Sequence, residues 1–540
     1  NHPRRVFELT SADFLRINPN TKTCPIFRTR QDAELTAKVY AHVPVLLSKS
    51  SGQNPWGISF SRLFDMSNDS GLFKSFDQLR NDGFVLAGNR FTRGSEHWAP
   101  LYESKMVCYY DHRYGSYAHA VGDGTSLPSM SFDEYADASL VAIPRYWVDM
   151  REVESRASKD WFIGFRNVCR STDERSGVFS AFGMAGVGNS MPVLMPSANV
   201  PPSLLLANSS SMILDWVIRQ KVAGVNMNFF YVEQFPVLSP NSYRAADKSF
   251  ILPRVAELTY TSWDIKAFAD DLWREADGEL RQTLRAQWEE NRRATGGHGW
   301  VQPDWKEAYP EIDWAFNKGD EEGVEGGIPF PPFKWDEEHR AHLRAELDAY
   351  YALLYGLERD ELRYILDPKE VHGEDFPGET FRVLKDKEIR QHGEYRTRRL
   401  VLEAYDRLRP TWDMPAHLER LRVEYERLQK PAEQAPPTVV AVPQANYRTG
   451  LFAKPDEDGE EQDAPKRGPG RPPKSAANDG QATEAILAYL KSNPGMHGKS
   501  AILEGTGIDA AEWNAAIKQL VEDGKVRKEG EKKGARYGER

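Results

Sequence analysis

A chain of 540 residues is too long for a single hydrophobic core, so two or three domains joined by linkers are expected. Aromatic residues at 11%, with fourteen tryptophans, exclude a largely disordered chain, and a net charge of −10 excludes a uniformly cationic one while leaving room for a local basic surface. Cys24, Cys108 and Cys169 lie far apart without CxxC spacing, which fits a reducing cytoplasm and neither a disulfide framework nor a cysteine zinc site. No apolar run is long enough to span a membrane, and the opening NHPRRVFELT is no signal peptide. The first residue is Asn rather than Met, and the opening reads as mid-protein, as in a fragment.

In chain order, residues 1–50 predict a loop, a strand and a helix, the helix over Thr29–Val43 with Asp32 and Glu34 in its first turns. From 51 to 245 short apolar segments alternate with Gly, Asn and Asp. ISFSRLFDM, GFVLAG and MVCYYDHRY read as strands and short helices, and YWVDM, WFIGFRNV and VFSAFGM as strand candidates. Residues 246–430 turn long, charged and helical. Residues 431–480 are rich in Pro, Ala, Gln and acid without periodicity, and read as a disordered linker. Residues 481–540 predict three short helices (482–491, 499–505, 509–522) and a basic hairpin over 525–537. The fold class expected is α+β, a mixed domain followed by a helical region, a linker and a small winged-helix domain.

The stretch LLLANSSSMILDWVIRQKVAGVNMNFFYVEQFPVL, residues 204–238, organises this reading. Leu205, Met212, Ile213, Trp216 and Val217 recur at helical spacing, and the Ser209–Ser211 run interrupts without breaking the helix. Arg219 and Lys221 follow, then Gly224, Asn226, Asn228 and an aromatic strand over Phe229–Val232. Cations beside amides suit phosphates and base edges. The plainer alternative is a helix end carrying its usual cation. Two more basic clusters flank apolar strands: Lys105 with Arg113, and Arg166, Arg170 and Arg175. Together the three suggest one basic face.

At the C-terminal end, helix Ala510–Val521 carries Lys518 and the hairpin carries Lys525 and Arg527, the layout of a recognition helix and wing; binding of protein is the alternative. Upstream, Arg467 and Gly470-Arg471-Pro472 resemble an AT-hook, whose flat Arg-Pro backbone fits a narrow minor groove. Pro469 stands where that motif has an Arg directly before the Gly.

Several catalytic patterns fail. The glycines of Gly183-Met184-Ala185-Gly186-Val187-Gly188 are followed by Pro192 where a phosphate-binding helix should begin. His339 and His342 lack a third metal ligand in view. Asp82 with Glu103 and Lys105 mimics the acid pair and lysine of metal-dependent nucleases, a short string that chance produces often.

INPNTKTCPIFRTRQDAELTAKVY (17–40), PLYESKMVCYYDHRYGSY (100–117), FRNVCRSTDERSG (165–177), GVGNSMPVL (186–194) and RQKVAGVNMNFFYVEQFPVL (219–238) are similar to one family. DELRYILDP (360–368) and FPGETFRVLKDKEIRQHGEYRTRRLVLEAYDRL (376–408) continue the likeness. They resemble the C-terminal half of adenine-specific DNA methyltransferases of restriction-modification and phage-defence systems, the single-chain type with a TaqI-like specificity domain. The resemblance implies that residues 1–50 end or connect from a methyltransferase domain, and that 51–245 recognise the target. It also implies double-stranded DNA as partner and S-adenosylmethionine as cofactor of the whole enzyme. The family's Asn/Asp-Pro-Pro-aromatic motif and methyl-donor loop are absent from this sequence; Asn18-Pro19-Asn20 lacks the second Pro and the aromatic. No catalytic or cofactor-binding residue is therefore expected here. The expected DNA contacts are Lys105, Arg113, Arg166, Arg170, Arg175, Arg219, Lys221, Asn226, Asn228, Arg467, Arg471, Lys518, Lys525 and Arg527. Two rival readings remain, a non-enzymatic specificity subunit paired with a separate methylase and a metal-dependent nuclease.

Overall fold

Capping chemistry sets where the first helices begin. The computed structural model describes residues 7–25, 27–119, 127–170, 172–197, 201–222, 224–316, 326–376, 379–429 and 477–506, and beyond these 513, 516–517, 519–521, 523–529 and 536–539. The Thr29 hydroxyl accepts the Asp32 N–H at 3.1 Å and the Asp32 carboxylate accepts the Thr29 N–H at 3.1 Å, starting helix Arg30–His42 as expected. Thr10 and Asp13 form the same box and start helix Ser11–Ile17, an additional helix before the expected one.

The first compact unit, residues 1–437, is mixed α and β. Its strands are β1 (Ser59–Ser61), β2 (Phe73–Ser75), β3 (Val85–Ala87), β4 (Arg90–Arg93), β5 (Glu96–Tyr102), β6 (Tyr146–Asp149), β7 (Trp161–Phe165), β8 (Phe179–Gly183), β9 (Gly186–Val187) and β10 (Val193–Met195). One sheet runs β1-β10-β7-β8, all antiparallel. The other runs β2-β6-β5-β4-β3, with β9 added parallel to the end of β5. Within MVCYYDHRY, read from sequence as strand or short helix, the chain makes a tight turn: Cys108 and Asp111 bridge, and Tyr110 sits at φ 60°.

Two further expectations change in the central stretch. The apolar helix breaks into Pro202–Ser210 and Met212–Lys221. Ser211 between them is extended (φ −68°, ψ 147°); its hydroxyl donates to the Asn208 carbonyl at 2.8 Å and accepts the Leu214 N–H at 3.2 Å. A serine hydroxyl offers the backbone an alternative to the helix ladder, and here it ends one helix and caps the next. Phe229–Val232 is a single helical turn rather than a strand. The extended pairing falls a few residues later, where Leu46 N–H donates to the Phe235 carbonyl (2.9 Å) and Val237 N–H to that of Pro44 (3.1 Å).

From Ala245–Thr259 onward the unit is helical, the principal helices being Lys266–Glu275, Gly278–Thr295, Glu337–Leu354, Arg382–His392, Arg396–Leu408 and Met414–Gln429. One hydrophobic core, reaching from Ile17 to Leu421, includes both central helices and the apolar face of Glu337–Leu354. Tyr351 Oη donates to the Leu204 carbonyl at 3.2 Å and Tyr355 Oη to that of Pro236 at 2.7 Å. The packing therefore runs through the boundary expected at 245/246. A second core lies beneath the larger sheet, built on Phe64, Leu101, Val148, Phe182 and Val187. Among the described residues no helix is long and apolar enough to cross a membrane.

The second unit, residues 438–540, holds helices Ala477–Ser492 and Lys499–Thr506 and strands β11 (His497–Gly498), β12 (Val526–Glu529) and β13 (Arg536–Glu539). The strands form an antiparallel sheet ordered β11-β13-β12. Ile486, Leu490, Ile502, Trp513, Ile517, Leu520 and Val526 make its core. The first helix begins inside the expected linker, and β11 was not foreseen. Most of that linker, with Arg467 and Arg471, and Lys518 lie outside the described residues.

Candidate nucleic-acid interface

Helix Met212–Lys221 is apolar up to its last turn except for Asp215, and Asp215 is fully buried. A lone carboxylate in such a place needs partners. Its Oδ1 accepts the backbone N–H of Ser176 (2.9 Å) and of Gly177 (2.7 Å). Its Oδ2 meets Arg175 Nε at 3.1 Å and Arg219 Nη2 at 3.2 Å. Asp215 thus ties the 173–177 loop to the helix.

Arg219 extends the tie. It donates to the carbonyls of Asp173 (2.9 Å), Glu174 (3.0 Å) and Thr380 (2.9 Å), and its guanidinium lies 4.6 Å from the Phe381 ring centroid. A second buried acid lies near Arg175: Asp348 accepts the Met212 N–H at 2.7 Å. Burial pushes the Asp348 carboxyl up to about 6, against the opposing pull of Arg175.

On this base two chain segments far apart in sequence join. Val168 and Asn226 form an antiparallel bridge, Cys169 N–H donates to the Val225 carbonyl at 3.0 Å, and Met227 N–H to that of Asn167 at 2.7 Å. The result is a paired tip on which Val168, Arg170, Val225 and Asn226 are exposed. The motifs FRNVCRSTDERSG and RQKVAGVNMNFF thus build one element.

Four expected DNA contacts do not face outward and are corrected to internal supports. Arg175 is spent on Asp215 and the Ser210 carbonyl, and Arg219 on Asp215 and the carbonyls named above. Arg113 is fully buried and donates to the carbonyls of Asp137 (2.9 Å), Leu140 (2.8 Å) and Thr261 (3.1 Å); burial lowers its guanidinium from its ordinary value. Lys221 donates to Ile17 O (2.7 Å), Gln234 O (2.7 Å) and Tyr40 Oη (2.9 Å), and burial alone holds its amine well below its ordinary value. Burial was the missing information: a sequence shows a cation but not which way it points.

The others are more open. Arg166 is half-buried, its Nε donating to the carbonyls of Ser104 (2.9 Å) and Val107 (3.0 Å). Lys105 lies 3.6 Å from Glu103 and 5.3 Å from the Tyr117 ring centroid. Asn228 is half-buried at the start of its helical turn. In the second unit Lys525 and Arg527 are exposed on and beside β12. Sequence reasoning missed Asp215, whose signal was a single acid in an apolar helix, and Thr380-Phe381, which carried no signal.

Ser262, His112 and Asp264 cluster in the interior, but one histidine nitrogen, Nε2, meets both Ser262 Oγ (3.0 Å) and Asp264 Oδ1 (3.1 Å). A nucleophile relay needs the two ring nitrogens on separate partners. Asp82 is paired with Lys74 at 2.6 Å rather than with Glu103 or Lys105. His339 is held by Glu257 at 2.8 Å, and among the described residues no group of His, Cys, Asp and Glu is arranged to hold a metal. The Gly183–Gly188 run serves packing: a Cβ on Gly183 would stand 2.4 Å from the Asp264 carbonyl oxygen, and Gly186 pairs with Leu101. A cleft of about 530 Å³ beside helix Arg30–His42 is lined by Lys38 and Glu361, which pair with each other at 2.6 Å.

No family model, curated protein or solved structure matches the chain.

Proposed function

We propose that this chain is the DNA-recognition portion of an adenine-specific DNA methyltransferase of a restriction-modification or phage-defence system. It holds the duplex while a separate or upstream domain, using S-adenosylmethionine, extrudes and methylates adenine. One observation carries the reading: the tip at Val168–Arg170 and Val225–Asn226 is braced from beneath by buried charge and presents a cation, an amide and two apolar side chains outward. A cation suits phosphate, and an amide suits the paired donor and acceptor of an adenine edge. The resemblance of the two tip motifs to the specificity domain of that family supports the same assignment. The second unit reads as a winged helix, with β12 and β13 as its wing and Lys525 and Arg527 as backbone contacts.

The test is duplex binding by the full chain across a potassium chloride series. Arg170→Ala with Asn226→Ala is expected to weaken binding and to flatten the salt dependence by about one phosphate contact's worth. Unchanged affinity and slope in that variant would remove the tip from the interface.

A further inference from the structure

The tip does not stand alone. Helix Arg382–His392, from the helical region, is docked against its base. Lys387 Nζ meets the Glu174 carboxylate at 3.0 Å, Thr380 just before the helix accepts from Arg219 at 2.9 Å, and Phe381 lies under the same guanidinium. Arg170 is joined to this loop through its own N–H, which donates to the Asp173 carboxylate at 2.9 Å. The surface that carries Arg170 therefore continues onto the helix.

At about 3.6 residues per turn, Arg382, Val383, Asp386, Ile389 and Arg390 fall on the face opposite buried Leu384. Val383 and Ile389 are exposed large apolar residues, at 36% and 44%. The helix's lysines are spent, Lys385 on Asp367 at 2.9 Å and Lys387 on Glu174. Arg382 and Arg390 are exposed and have no ion-pair partner among the described residues. Helix stability does not account for Arg382. It is the first helical residue of a helix with no acid in its first turn, and a cation there opposes the dipole. Arg382 and Arg390 stand roughly 12 Å apart along the axis, a span that can bridge phosphates on duplex DNA.

We infer that the outward face of helix Arg382–His392 is a second duplex-DNA contact, in which Arg382 and Arg390 hold phosphates beside the groove the tip enters. This rests on the DNA-recognition reading above. The apolar residues between the arginines lie against sugars, and Asp386 keeps the face from being a featureless positive patch.

The experiment uses the full chain, a fluorescein-labelled duplex of mixed sequence and a potassium chloride titration. Arg382→Gln with Arg390→Gln is expected to lower the slope of log affinity on log salt by about 1.8, with the thermal unfolding midpoint unchanged. Arg382→Lys with Arg390→Lys is expected to restore most of that slope, because the contact is to charge. An unchanged slope in the glutamine variant, while Arg170→Ala with Asn226→Ala loses affinity, overturns the helix contact and leaves the recognition reading standing. Lysine variants as weak as glutamine variants overturn the phosphate role. A wild-type chain that binds no duplex at any salt overturns both readings together.

Discussion

Arg175 meets Asp215 at 3.1 Å where the carboxylate is fully buried and the guanidinium nearly so, and this contact, more than any surface charge, shapes the candidate interface. Asp215→Asn keeps an oxygen for the Ser176 and Gly177 N–H groups but leaves the Arg175 and Arg219 guanidiniums short of their counter-charge. Breaking a buried ion pair from one side costs about 3–5 kcal/mol. Urea unfolding of this variant should show a loss of that order, and a loss below about 1 kcal/mol would mean the site tolerates the unbalanced charge.

The second prediction concerns pH. Burial lifts the Asp348 carboxyl from 3.8 to about 6. A folded-state value above the unfolded one favours the fold while the group is protonated. This contribution is therefore complete below pH 4 and is lost as pH rises through about 6. Asp348→Asn keeps the carbonyl oxygen that accepts the Met212 N–H and cannot ionise. Relative to wild type, it should gain stability between pH 4 and 7, on the order of 3 kcal/mol at the upper end. Parallel stability curves for the two proteins would contradict this.

Lys221 gives the opposite sign. Its amine is surrounded by two carbonyls and a phenol, and burial depresses its affinity for a proton. With the folded value below the unfolded one, its contribution is present above pH 10.5 and is lost as pH falls through the folded value. Lys221→Met should remove that dependence. The difference in unfolding free energy between wild type and variant should therefore grow in favour of wild type toward alkaline pH. A constant difference from neutral to alkaline pH would show that Lys221 titrates alike in both states.

Gly183 separates packing from ligand binding. Gly183→Ala places a methyl group 2.4 Å from the Asp264 carbonyl oxygen, so β8 must shift from the segment it lies against. The expected cost is about 1–3 kcal/mol in thermal or urea unfolding. A nucleotide that protects wild type from unfolding but not this variant would instead make the glycine run a phosphate loop.

Much of the fold could be read from residue order because its signals were local. Thr29 with Asp32 announced a helix start, and the aromatic runs of β7 and β8 announced buried strands. Where an expectation failed, a contact distant in sequence or a competing local bond had decided the outcome. Phe229–Val232 has strand-like side chains but follows Asn228 into a helical turn, while pairing with Pro44–Leu47 takes up the residues after it. Ser211 could as well have continued a helix as divided it. Of the candidate site, the residue types were legible but not their directions: Arg170 and Asn226 face outward, whereas the inward turn of Arg175 and Arg219 depends on Asp215, a partner that no neighbouring residue marks.

The single core that runs from Ile17 to Leu421 limits how such a protein can be re-engineered. A segment swap cut at 245/246 would part the central helices from Tyr351 and Tyr355, which bond to Leu204 and Pro236, and would leave two raw apolar surfaces. The tip offers better joints. Exchanging only residues 167–170 and 224–228 crosses no part of that core except Cys169 and Met227, so grafts of new outward residues should be made there.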